Sequence, residues 1–372
     1  IFLPPTSKPL FNYASYTTLL KITHLKNGVL WWQRYNDYCV SLHNAQAVTR
    51  SLVSMFVRTN KNLKGIVISD SNELLCFPST ALFANYKPGL SQLVRLECSF
   101  YTYNNFTTSI ALEFLKDLTT ICTNLRKIYF TFSSINPSEE LITTCSNIIK
   151  AQKKLKTLYI GQAVLTQCRN LRWLEFVNCK EITLEHCTSL LNEPLNNLRG
   201  LKLLSRNFDS HIINFLVEMW GSTLKRLYLN QIKTRELSNL LINRCLNLKS
   251  LHVNVRDGNE FLLPFLSQSS LQHLTMISFY TEPLSCELGQ SLPATLKCLE
   301  LRKYYFTSES FDKFLNNCKH LVKLETLIIG VSIPDLNHYI SLLEFIKSCK
   351  SLKEIVFYYI IDVSMKEEFK KC

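Results

Sequence analysis

An apolar trio of the form L-x-x-L-x-[apolar] recurs along most of this 372-residue chain. It reads Leu63-Ile66-Ile68, Leu93-Leu96-Cys98, Leu125-Ile128-Phe130, Leu155-Leu158-Ile160, Leu171-Leu174-Phe176 and Leu198-Leu201-Leu203. It continues as Leu224-Leu227-Leu229, Leu248-Leu251-Val253, Leu271-Leu274-Met276, Leu296-Leu299-Leu301, Leu324-Leu327-Ile329 and Leu352-Ile355-Phe357. Successive trios start 30, 32, 30, 16, 27, 26, 24, 23, 25, 28 and 28 residues apart. The last two apolar positions of each trio are two residues apart, the period of a strand with one buried face. The intervals hold amphipathic stretches with helical period. Such a chain cannot close one compact core; it must stack strand-and-helix units on one another.

The spacing and the three-point signature are those of a leucine-rich repeat. The expected fold is an α/β solenoid, a horseshoe with a parallel concave sheet and convex helices, about 12 repeats long. Residues 1–62 are expected to form a connector and N-terminal cap, and 63–372 the repeat solenoid. Helices are predicted from Asn44, with Val48, Leu52, Met55 and Phe56 on one face, and from Pro137 to Ile149. Others are predicted over Ser210–Trp220, Thr234–Asn243, Ser308–Asn316 with Ser308 as N-cap, and Tyr339–Lys347. The 16-residue interval between Leu155 and Leu171 is too short for a strand, a helix and two turns. An irregularity is therefore expected near 160–170, from a bare loop or a lost segment.

Apolar residues are 47% of the chain, enough for a long core and too many for disorder. The fourteen cysteines form no C-x-x-C pair. Cys122, Cys168, Cys245, Cys318 and Cys349 each stand three residues before a leucine, where a small buried thiol closes the preceding helix. Reduced thiols and the missing signal sequence lead to an expected cytoplasmic or nuclear location. No run approaches the ~18 apolar residues of a membrane span. No phosphate-binding glycine loop, nucleophile elbow, H-E-x-x-H or spaced Cys/His set occurs, so no catalytic residue, metal site or cofactor is expected.

The residues flanking the middle apolar position face the concave side. Those expected to bind protein are Arg95, Lys127, Tyr129, Tyr159, Trp173, Glu175, Lys202, Arg226, Tyr228 and His252. Aromatic and arginine anchors with charged edges are the composition of a protein-binding patch. Solvent-facing strands also favour tyrosine and tryptophan by β-propensity alone, and composition does not separate the two readings.

The net charge of +13 is spread along the chain, with 14 basic and 8 acidic residues in 1–150 and 28 and 21 in 151–372. Part of it is positional. The residue after the first leucine is Lys or Arg in nine of twelve repeats: Lys64, Arg126, Lys156, Arg172, Arg199, Lys225, Lys249, Lys297 and Lys353. This ladder is read first as cations beyond the helix C-termini, where the helix dipole favours them. The alternative is an edge for an acidic partner or nucleic-acid backbone. Nucleic acid is accordingly not the expected partner.

The cysteine-bearing variant C-x-x-L-x-x-L-x-[apolar] resembles the repeats of F-box proteins. Leu3-Pro4-Pro5-Thr6-Ser7-Lys8-Pro9-Leu10-Phe11-Asn12-Tyr13 looks like the connector after the F-box in a large, divergent fungal family of these proteins. The resemblance implies a substrate-recognition subunit of an SCF-type ubiquitin ligase, with target proteins on the concave face. It implies a Skp-type adaptor and a cullin as partners through an F-box, and no F-box helices are found ahead of the connector. The chain begins at Ile1, and an upstream piece is expected to be missing. The alternative is a repeat scaffold unrelated to ubiquitin, contacting nucleic acid through its basic rim.

Overall fold

The computed structural model describes residues 16–36, 41–77, 90–100, 105–132, 138–160, 170–176, 195–204, 209–255, 261–278, 285–304, 306–331 and 335–359. The chain divides into two compact units, Ile1–Asn197 and Leu198–Cys372. Both are built from parallel strands in sequence order with helices between them, so the fold is an α/β leucine-rich-repeat solenoid.

In the first unit the strands are β1 (Leu19–Lys21), β2 (Gly65–Ile68), β3 (Arg95–Phe100), β4 (Lys127–Phe132), β5 (Thr157–Ile160) and β6 (Trp173–Phe176). Their helices are α1 (Ile22–Tyr35), α2 (Leu42–Thr59), α3 (Asn105–Ile121) and α4 (Glu139–Lys150), with a 3-10 turn over Ser71–Cys76. The leucine trios fill the core, with Leu63, Leu93, Leu125, Ile66, Leu96, Ile128 and Leu174 wholly buried. Each such burial stabilises by roughly 1.5–3 kcal/mol. Strand β1 adds a thirteenth strand, in a stretch the trio pattern passes over. Leu20 and Ile22 take the buried places, but Thr17 stands where the pattern has its first leucine.

In the second unit the strands are β7 (Gly200–Leu203), β8 (Arg226–Leu229), β9 (Ser250–Val255), β10 (His273–Ser278), β11 (Cys298–Tyr304), β12 (Thr326–Val331) and β13 (Glu354–Tyr359). The helices are α5 (Ser210–Trp220), α6 (Arg235–Arg244), α7 (Leu262–Gln268), α8 (Ser285–Ser291), α9 (Ser308–Asn317) and α10 (Leu336–Ser348).

One backbone device sets the strand register. From Thr18 to Lys156, and again from Arg199 to Glu325, the carbonyl of the residue before a strand accepts two N–H groups from the next repeat. Arg126 O takes Lys156 N at 2.9 Å and Thr157 N at 3.0 Å; Lys225 O takes Lys249 N at 2.9 Å and Ser250 N at 3.0 Å. The same fork carries across the short interval. Lys156 O accepts Arg172 N at 2.9 Å and Trp173 N at 3.0 Å, and β5 and β6 pair in parallel with Leu158 opposite Leu174. The connection itself, 161–169, lies outside the described residues.

Side chains link the repeats too. The residue before the first leucine donates to a carbonyl of the preceding repeat: Asn170 Nδ2 to Lys153 O at 2.9 Å and Asn247 Nδ2 to Ser222 O at 2.8 Å. Thr295 and Ser351 do the same with their hydroxyls, each at 2.7 Å. Of the cysteines expected to close helices with a buried thiol, Cys122, Cys245 and Cys318 are buried, whereas Cys349 is only half-buried; Cys122 Sγ donates to Leu90 O at 3.3 Å. Burial pushes the Cys122 and Cys245 thiols up to about 12. Cys168 lies outside the described residues.

Two helix starts and one helix face differ from expectation. The N-cap of α9 is Thr307, whose Oγ1 accepts from Ser310 N at 3.2 Å, so Ser308 is already helical. Helix α10 starts at Leu336 rather than Tyr339, because Asp335 caps it through His338 N at 3.0 Å. Helix α2 buries Ala45, Thr49, Val53 and Val57, leaving Met55 exposed. Val48, Leu52 and Phe56 are half-buried and flank this stripe of smaller side chains.

Candidate functional site

The sheet pleat decides which side chains can meet a partner. In the first unit, register sets Gly65, Arg95, Lys127, Thr157 and Trp173 in one row across β2–β6. A second row holds Val67, Glu97, Tyr129, Tyr159 and Glu175. Both rows alternate with the buried leucines, so they stand on the sheet face away from the core. The six residues expected here, Arg95, Lys127, Tyr129, Tyr159, Trp173 and Glu175, therefore lie on adjacent strands of one face.

They are held by one another. Arg95 is ion-paired to Glu97 and lies over the Tyr129 ring, 5.5 Å from its centroid. Tyr129 and Tyr159 pack at 5.6 Å in a tilted pair. Trp173 Nε1 donates to Glu175 Oε2 at 3.4 Å, and Glu175 is 8% exposed. Burial raises the Tyr129 hydroxyl above its ordinary range, with Arg95 opposing and Glu97 and Glu175 reinforcing the rise. A half-open cleft of about 220 Å³ lies among Ser69, Glu97, Ser99, Tyr129, Thr131 and Tyr159. Thr131 Oγ1 donates to Ser99 Oγ at 2.7 Å along its wall.

In the second unit, register aligns Gly200, Arg226, Ser250, His273 and Cys298, and beside them Lys202, Tyr228, His252, Thr275 and Glu300. The four expected residues Lys202, Arg226, Tyr228 and His252 share this face. Lys202 Nζ sits 6.0 Å from the Tyr228 centroid, and Tyr228 stacks on His252 at 5.1 Å and 18°. Burial lowers the His252 pKa below the usual histidine value, helped by the positive charges of Arg302 and Lys202 and opposed by Glu300. The ring is therefore neutral at pH 7.

Sequence reasoning left two groups out of the expected set. Ser99 and Thr131 form a third row, present because β3 and β4 run to six residues. Glu300 and Arg302 form a polar cluster with Thr275: Arg302 Nε donates to Glu300 Oε1 at 2.6 Å and Thr275 Oγ1 to Oε2 at 2.9 Å. Continued alternation past the third apolar position of the trio is the signal for Ser99, Thr131 and Arg302, whereas Thr275 and Glu300 stand in the places flanking the middle position, already read as concave. Among the described residues no group of three His, Cys, Asp or Glu side chains could hold a metal ion. No described helix is long and apolar enough to cross a membrane.

What these faces offer is contact area: rigid aromatic rings, each with a charged neighbour, spaced by the strands. A scan against protein-family models finds no match for this chain, and a search of curated proteins finds none. Similar solved structures include the leucine-rich-repeat protein LegL7 of Legionella pneumophila, with 10% identity over 83% of this chain and 90% of that one, TM-score 0.39. A complex of Rad7 and Elc1 from yeast matches at 14% identity over 90% and 81%, TM-score 0.40. A leucine-rich-repeat protein of Leptospira interrogans matches at 15% identity over 81% and 73%, TM-score 0.37. Likeness at these scores carries no functional argument.

Proposed function

We propose that this chain is the substrate-recognition part of an SCF-type ubiquitin ligase and takes target proteins on the sheet face of its solenoid. The observation that carries the binding part is the pair of ordered rows on that face. Tyr129, Tyr159, Trp173 and Tyr228 are half-exposed, each beside a charged residue, and preorganised by ring and ion-pair contacts. Preorganised aromatics lose little entropy on docking, which is why such residues dominate binding energy.

The ubiquitin part rests on the resemblance of the repeats. Buried Cys122 and Cys245, each following a helix and preceding the first leucine by three residues, are in keeping with the cysteine-bearing type. The adaptor and cullin would be held through an F-box. Unpaired thiols at Cys76, Cys98, Cys122, Cys145, Cys245, Cys298, Cys318 and Cys349 support a cytoplasmic or nuclear setting. Affinity purification of the protein tagged at its own locus tests the ligase part. Recovery of a Skp-type adaptor with a cullin beside captured targets is expected. Capture of targets without adaptor or cullin would overturn the ligase reading and leave the scaffold.

A further inference from the structure

The first unit carries a second ordered surface, along the edge where its strands begin. Thr18, Lys64, Val94, Arg126, Lys156 and Arg172 occupy equivalent places, each giving its carbonyl to two N–H groups of the next repeat or, for Arg172, closing the series. These rungs succeed one another at the strand spacing of about 4.8 Å. Lys64, Arg126, Lys156 and Arg172 are exposed, as are Lys61, Lys127, Lys150, Lys153 and Lys154 around them. Lys64 reaches Gln92 Oε1 at 3.2 Å. The other eight make no ion pair among the described residues.

The fold does not demand these charges. A cation past a helix C-terminus gains about 0.3–1 kcal/mol, yet the same place accepts Thr18 and Val94 in this unit. In the second unit it accepts Gln272, and also Glu325, which draws Lys353 to 2.7 Å and Lys297 to 4.0 Å. An acid at the site is thus compatible with the fold and forms ion pairs. Arg126, Lys156 and Arg172 on consecutive rungs instead repel one another. Six of the eight unpaired cations are lysines, a residue depleted from protein–protein interfaces that meets phosphate as a point charge.

We propose that this basic edge of the first unit binds the phosphate backbone of a nucleic-acid strand, independently of base sequence. Arg126, Lys156 and Arg172 supply consecutive rungs, and Lys154 a fourth contact beside them. Apart from Lys127, which the two share, its residues are not those of the sheet face proposed to hold target proteins.

The test is anisotropy of a labelled, mixed-sequence single-stranded oligonucleotide of about 20 residues with the full chain, titrated in NaCl. Four phosphate contacts give a slope of about −2.8 in log K against log salt, or roughly 50-fold weaker binding between about 50 and 200 mM. The triple substitution Lys154→Gln, Lys156→Gln, Arg172→Gln should leave about one contact and cut that salt response to roughly threefold. Its melting temperature should match wild type, because all three side chains are exposed; should it not fold, Lys156→Gln alone should lower the slope by about 0.7. Lys297→Gln with Lys353→Gln, the two rungs of the second unit that pair with Glu325, should leave binding unchanged. Three results would each overturn the proposal: no binding at low salt, binding indifferent to salt or to the triple substitution, or displacement by polyglutamate as effective as by unlabelled oligonucleotide.

Discussion

Replacing Gln152 by alanine should unfasten two repeats of the first unit at one point. Gln152 stands three residues before Leu155, the place a cysteine takes elsewhere, and it is 7% exposed. Its Oε1 accepts from Leu125 N at 2.9 Å, while its Nε2 donates to Cys122 O at 2.6 Å and to Ile148 O at 2.9 Å. Alanine leaves a buried N–H and at least one buried carbonyl without these partners. An orphaned buried group costs about 1–3 kcal/mol, so the expected loss is about 3 kcal/mol. For a unit of this size that lowers the melting temperature by about 6–12 °C. Urea unfolding followed by circular dichroism reads the free energy directly. Gln152→Glu sharpens the test. It keeps an acceptor for Leu125 but turns a carboxylate toward two carbonyls, which raises the carboxyl pKa. A group with a raised folded pKa loses stability as pH climbs through the ordinary carboxylate range, so this variant should be more stable at pH 4 than at pH 7 relative to wild type. A loss under about 0.5 kcal/mol for Gln152→Ala, or no pH dependence for Gln152→Glu, would refute the latch.

Three further outcomes follow from other contacts. Gly289→Ala places a Cβ 2.8 Å from Phe314 O and 2.9 Å from Asn317 Cβ; the overpacking of α8 against α9 should exceed the ~1 kcal/mol of helix propensity gained, for a net loss of about 1–2 kcal/mol in urea titration. Native alkylation with iodoacetamide, resolved by peptide mass spectrometry, should spare Cys122, Cys145, Cys245 and Cys318, whose thiols burial pushes up, and modify Cys349 faster. The lowered His252 pKa means its contribution is complete above the ordinary histidine range and is lost as pH falls toward its folded value; His252→Asn should abolish that component of the melting temperature between pH 7.5 and 5, and an unchanged pH profile would contradict it.

Much of this architecture could be read from residues because a repeat must satisfy the same three burial places each time. Leu174 and Phe176 have no other solution than a strand packed on helices, and β6 lies where the trio puts it. The pattern fails where one place is filled by an unusual residue. Thr17 in place of leucine hid β1, although Leu20 and Ile22 keep the alternation. The amide ladder was also open to view, since Asn124, Asn170 and Asn247 all precede the first leucine, but the bonds they make depend on a carbonyl about 17–33 residues earlier. Cap choice at α9 turned on a one-residue difference between Thr307 and Ser308, which periodicity does not resolve.

The strand faces were legible in the same way: alternation alone puts Arg95, Tyr129, Trp173 and Tyr228 opposite the core. What alternation does not encode is pairing within the face. Arg95 with Glu97 and Tyr129, or Tyr228 with His252, come from side chains of adjacent rungs choosing one another. The basic edge had the opposite history. Its regularity in sequence favours a structural cause, and Glu325, which the trio register already aligns with Arg126 and Lys156 and which makes the same backbone fork, removes that cause as a requirement.

The central claim is that target proteins dock on the sheet face. Quantitative affinity purification should compare wild type with Tyr159→Ala plus Trp173→Ala on that face, and with Lys116→Ala plus Glu140→Ala on the exposed helices. Equal melting temperatures establish that all three fold. The account predicts that proteins recovered with wild type fall at least about tenfold with the sheet-face pair, a loss of about 1.4 kcal/mol or more, and persist with the helix pair. Retention by the sheet-face variant and loss by the helix variant would contradict it.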